Sequence, residues 1–67
     1  MTPESLAKCV VIVSNHIDVP FNVIKDNRAQ WAILVSKADK ALLEDLLNNG
    51  FFLESGSKGG IVIREIE

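Results

Sequence analysis

Little in this sequence is built for chemistry. It has one cysteine, one histidine and no tyrosine, and no pair of nucleophile, base or metal-ligating residues stands at a catalytic or chelating spacing. A lone Cys9 forms no internal disulfide, and without a disulfide scaffold the expected compartment is a reducing cytoplasm. A lone His16 has no second histidine with which to share a metal. The longest apolar run near the start, "CVVIV", is far short of the roughly 20 residues a membrane span needs, and polar "SNH" follows it. The N-terminus carries no signal-peptide pattern, so a soluble protein with no membrane partner is expected. Cations are also scarce: seven Lys and Arg stand against nine Asp and Glu, a net charge of −2. A duplex-DNA binder normally brings a cationic surplus to neutralise phosphates. Here any nucleic-acid contact requires the bases to be gathered on one face.

What is present is apolar surface. Nearly half of the 67 residues are hydrophobic, enough for one domain over residues 1–67 with one core. A core of this size supplies only about 3–5 kcal/mol. That leaves room for a homodimer. The chain is too short to enclose a substrate cavity, and with this inventory of side chains it reads as a non-enzyme without cofactor or metal.

Thr2 as N-cap, Pro3 at the first helical position and Glu4 in the first turn predict a helix start. Leu6, Val10, Val13 and Ile17 recur at helical spacing after it, and the chain leaves the helix by Val19, before Pro20. The middle, "FNVIKDNRAQWAILV", supports two readings. At a period of two, Phe21, Val23 and Lys25 form a strand, "DN" a turn, and Trp31, Ile33 and Val35 a second strand. At a period of 3.6, Asp26 or Asn27 caps a helix bearing Ala29, Trp31, Ala32, Leu34 and Val35. The lack of glycine in the turn suits the helix; Trp, Ile and Val suit the strand.

"SKADKALLEDLLNNG" predicts the clearest helix, with Ser36 as N-cap, Asp39 three residues on, and Gly50 where a left-handed residue ends it. Leu42, Leu43, Leu46 and Leu47 share its apolar face. Lys37 and Lys40 crowd its first turn, the wrong end of the helix dipole for a cation. A hairpin follows: Phe51 to Ser55, a tip "GSKGG", then Ile61 to Ile66. Adjacent Phe51 and Phe52 point to opposite faces of their strand, so one of them is exposed unless a helix or a partner covers it. Trp31, Phe21 and both phenylalanines are expected in the core, and Cys9 as a small buried hydrophobe.

The leucine-faced helix ending "LLNNGFF", the strand, the tip "GSKGG" and the strand "IVI" resemble the C-terminal half of winged helix-turn-helix domains, over roughly Val35 to Ile63. The resemblance implies an α+β winged-helix fold in which that helix recognises duplex DNA and the hairpin is the wing, in a regulatory role. Lys37, Lys40, Lys58 and Arg28 would then meet phosphates, with Asn48 or Ser36 as polar contacts. Glu44 would turn away or accept from a cytosine amino group.

The other expectation is a protein-binding adaptor or inhibitor of the kind small phage or mobile-element proteins often are. It would act through the mixed-charge helix face around Glu44, an exposed Phe51 or Phe52, or a sheet edge. It goes with a different architecture: helix, two strands, helix, two strands, giving a four-stranded antiparallel sheet covered by helices. Residues 29–35 discriminate between the two, being a helix in the first and a strand in the second.

Overall fold

A computed structural model describes residues 1–16, 20–26, 28–56 and 59–66. Helix α1 (Pro3–Ser14) leads into strands β1 (Phe21–Lys25) and β2 (Trp31–Val35), and α2 (Lys40–Asn48) into β3 (Phe51–Ser55) and β4 (Ile61–Glu65). The four strands form one antiparallel sheet in the order β1-β2-β4-β3. The fold is α+β, and its order of elements is the second of the two layouts above.

Residues 29–35 decide this. Trp31–Val35 pairs residue for residue with Phe21–Lys25, from Lys25↔Trp31 to Phe21↔Val35. The stretch that a helix-turn-helix would need as a helix before α2 is therefore a central strand. Its turn closes without glycine because Ala29 itself takes the left-handed conformation, φ 58°. The Asp26 amide donates to the Gln30 carbonyl at 2.9 Å and the Ala29 amide to the Asp26 carbonyl at 3.0 Å. Asp26 Oδ1 accepts from the Arg28 and Gln30 amides at 2.8 and 3.0 Å. These bonds offset the steric cost of a Cβ in that region, about 1–2 kcal/mol.

α1 begins as its sequence predicts, with the Thr2 hydroxyl accepting from the Ser5 amide at 3.2 Å. It ends at Ser14, earlier than Val19; Ile17 and Val19 lie outside the described residues. α2 starts later than expected. Its N-cap is Asp39, whose Oδ1 accepts from the Leu42 amide at 2.9 Å, while Ser36 belongs to the link from β2. That link has to climb from the sheet to the helix layer, and Ala38 packs on the core as it does so. Gly50, φ 87°, ends α2 in the left-handed position expected of it.

Both helices lie on one side of the sheet: α1 rests on β2 and α2 on β3. Each buries two residues four apart, Cys9 with Val13 and Leu42 with Leu46, against Ile33, Val35, Phe51 and Ile63. Leu43 and Leu47, expected on the same apolar face, are 38% and 48% exposed. The stripe needed to meet a flat sheet is narrower than four leucines. Trp31, expected in the core, is 39% exposed at the sheet's end, with Lys25 Nζ 4.7 Å from its ring centroid. Phe21 and Phe52 are half-buried, and only Phe51 among the aromatics is fully enclosed. Cys9 is fully buried and burial pushes its thiol up to about 12, so it packs as a hydrophobe.

Two stability measurements check this account. Leu42→Ala is expected to cost about 2–5 kcal/mol in urea unfolding and Leu43→Ala less than about 1 kcal/mol; equal costs would contradict the helix orientation. Ala29→Gly is expected to stabilise the chain by roughly 1 kcal/mol, where at an ordinary helical or strand position it would destabilise.

Candidate functional site

With both helices on one side, the other side of the sheet has none. The two-residue alternation of strand side chains assigns to it Asn22 and Ile24 from β1, Ala32 and Leu34 from β2, Phe52 and Glu54 from β3, and Val62 and Arg64 from β4. Across the strands, Asn22 faces Leu34, Leu34 faces Val62 and Val62 faces Glu54. Ile24 faces Ala32, and Phe52 faces Arg64. The centre is therefore apolar. Ala32 is fully buried and Val62 is 8% exposed, shielded by their neighbours alone.

Leu34 also reaches the base of the β3–β4 tip. A Cβ placed on Gly60 would come within 2.8 Å of Leu34 Cδ1, so glycine lets the hairpin close over this leucine. Beside it Asn22, Ile24, Leu34, Gly56 and Val62 line an open depression of about 520 Å³.

One corner of this face is polar. Arg64 Nη1 donates to Asp26 Oδ2, and Arg64 Nε to Glu54 Oε2 at 2.5 Å. One cation thus lies between two carboxylates, and Arg28 lines the same corner. The Asp26 side chain, only 4% exposed, has its carboxyl held below the ordinary value of 3.8 by the amide of Gln30, then that of Arg28, and by Arg64. Glu54, followed by Asp26, keeps Arg64 protonated.

The residues expected at a DNA interface divide between the two ends of the molecule. Ser36, Lys37 and Lys40 sit where β2 ends and α2 begins. Arg28 belongs to the β1–β2 turn at the far end of the strands, and Asn48 ends α2, about 12 Å along its axis from Lys40. Lys40 Nζ is 4.0 Å from Glu44 Oε1, an exposed pair one turn apart that contributes little. Lys58 lies outside the described residues. Of the residues expected to meet a protein, Phe51 is buried in the core, Glu44 is exposed on α2, and Phe52 lies on the helix-free face.

Sequence reasoning did not single out Ile24, Leu34, Val62 or the Asp26–Arg64–Glu54 cluster. Each strand has apolar residues on both of its sides, a pattern that reads as simple burial until the helices are known to cover one side. The cluster joins residues 26, 54 and 64, and no local pattern announces it. His16 sits at the end of α1, where its Nε2 lies 2.8 Å from Asp45 Oδ2 and ties the two helices together.

Among the described residues no group of three His, Cys, Asp or Glu is arranged to hold a metal ion, and no buried side-chain polar atom lacks a partner. No described helix is long and apolar enough to cross a membrane. No protein-family model, curated protein or solved structure matches the chain.

The Asp26 site has a pH signature. Its carboxyl is depressed in the folded chain, so its contribution to stability is present above the unfolded value of 3.8 and is lost as pH falls through the lower folded value. Asp26→Asn is therefore expected to be less stable than the parent at neutral pH, with the gap closing below about pH 4. A gap in urea midpoint that stays constant from pH 7 to pH 2 would show that the carboxylate does not carry the corner.

Proposed function

We propose that this chain is a non-enzymatic protein-binding domain, of adaptor or inhibitor type, that takes its partner against the helix-free face of the sheet. The observation that carries this is the pairing of Trp31–Val35 with β1. It commits the chain to a four-stranded sheet, and two short helices cover one side of it. The uncovered side presents Ile24, Leu34 and Phe52 around buried Ala32 and Val62.

The chemistry of the face suits a protein partner. Its middle is apolar, its rim carries Asn22 and the Arg64 corner, and its charge is near balance, Arg28 standing beside the Asp26–Arg64–Glu54 cluster. Protein interfaces combine an apolar centre with a polar rim and favour Phe and Arg as anchors. Phosphate binding asks for the reverse, a cationic surplus on one side. Among the described cations that would serve duplex DNA, Arg28 lies at the far end of the sheet from Lys37 and Lys40, and Lys40 faces an acid one turn away.

The test is site-specific photo-crosslinking in native cells. A crosslinker at Leu34 is expected to yield discrete, nuclease-resistant protein adducts, and one at Lys8, on the exposed side of α1, none. Leu34→Asp in a chain crosslinked through position 24 is expected to abolish the adducts while circular dichroism stays unchanged, because the side chain points away from the core. Nuclease-sensitive adducts, or equal yields from positions 34 and 8, would overturn the proposal.

A further inference from the structure

The two edges of the sheet are not equivalent. In the β3–β4 hairpin the Gly56 amide donates to Gly60 O at 2.7 Å and the Ile66 amide to Gly50 O at 2.8 Å. Antiparallel pairs alternate, so the even-numbered residues of β3 bond to β4 while the N–H and C=O groups of Phe51, Leu53 and Ser55 point outward. At the other edge the Asp26 amide donates to Gln30 O, and the same alternation turns Phe21, Val23 and Lys25 outward. There Lys25, standing over Trp31, is a charged guard of the kind that blunts an exposed edge. On β3 the one charged residue, Glu54, is half exposed beside the groove and is held by Arg64 on the helix-free side.

β3 is also the strand beneath α2. Asp45 marks the flank of α2 that faces α1, through its contact with His16. Leu43 and Leu47 project from the opposite flank, 38% and 48% exposed, over the β3 edge. Between helix and edge runs a groove of about 380 Å³ whose apolar walls are Ala38, Leu43, Leu53 and Ile61.

We propose that a second copy of this chain fills this groove. The two β3 strands pair antiparallel across a two-fold axis at Leu53, and the two α2 helices pack antiparallel above them. This gives one eight-stranded sheet with four helices on one side. The register is self-complementary: Leu53 meets Leu53, Phe51 lies opposite Ser55, and Leu43 packs toward Leu47 of the second copy.

Charge selects a second copy over an unrelated extended peptide. α2 has no acidic residue in its first turn and no basic residue in its last. Asp39 caps its start, but Lys40 beside it opposes the helix dipole, and among the described residues the last turn holds no cation. In the antiparallel pair each Lys40 lies beside the carboxyl end of the other α2, where a cation is favoured. An arrangement unfavourable within one chain becomes complementary between two. A foreign strand would satisfy the edge but would leave Lys40 unexplained. This surface is separate from the helix-free face, and the two are tested independently.

Sedimentation equilibrium of the full chain, from micromolar to millimolar, is expected to give twice the 7.4 kDa chain mass. Leu43→Glu with Leu47→Glu is expected to weaken association by roughly tenfold or more. Both side chains are exposed, so circular dichroism should be unchanged. Ser55→Pro removes an amide that points away from β4, and is expected to break the pair while the hairpin survives. Lys40→Gln separates an interface role from a structural one: it removes the cation that opposes the dipole without setting two acids one turn apart, so melting of dilute monomer should hold while dimerisation weakens. A 7.4 kDa mass for the parent throughout, or a dimer untouched by these variants, would overturn the proposal. So would a dimer that Leu34→Asp alone dissolves, since that would seat the second copy on the open face.

Discussion

Everything in this molecule follows from the meeting of two short helices with one side of a four-stranded sheet. α1 has twelve residues and α2 nine, which is enough to roof one side and no more. The contact is made by few groups. Cys9, Val13, Leu42 and Leu46 descend from the helices onto Ile33, Val35, Phe51 and Ile63, and these eight form the buried cluster. Hydrophobic burial at about 25 cal/mol per Å² is the dominant favourable term, and in a chain this small it is concentrated in that single contact layer.

The same geometry accounts for the other side of the sheet. Central strands β2 and β4 need β-branched and aliphatic residues for pairing on both faces, so the unroofed side inherits Leu34 and Val62 along with the buried Ala32. Its polar corner limits how far that apolar surface extends. Asp26, Glu54 and Arg64 come from the β1–β2 turn, β3 and β4, and together they pin three segments that no helix crosses.

Much of the fold was legible from local chemistry. Thr2, Pro3 and Glu4 marked the start of α1, Gly50 marked the end of α2, and the glycine-rich tip with its flanking runs marked β3 and β4. The middle was not legible, for a specific physical reason. Residues 21–35 join two strands through a turn whose left-handed position is held by Ala29, where pattern reasoning looks for glycine. The alanine concealed the hairpin and kept a helix in play. The N-cap of α2 was misplaced because Ser36 and Asp39 both have capping side chains, and only the climb from sheet to helix layer selects Asp39. The candidate face was hardest to see. Its residues carry the same alternation as core residues, and their exposure depends on which side the helices settle, a tertiary choice that no window of sequence contains.

The strand order has an architectural corollary. Each half of the chain is a helix followed by a hairpin, and the order β1-β2-β4-β3 relates the two hairpins, though not the helices over β2 and β3, by an approximate dyad through the seam between β2 and β4. Ten of the thirteen paired positions lie between strands that are neighbours in sequence; among the ladders the seam, at Ile33↔Ile63, Leu34↔Val62 and Val35↔Ile61, is the one that joins the halves. Such a chain is modular in its assembly. Its hairpins can zip early from nearby residues, and cooperativity rests on the non-local seam and on the core that both helices close over it.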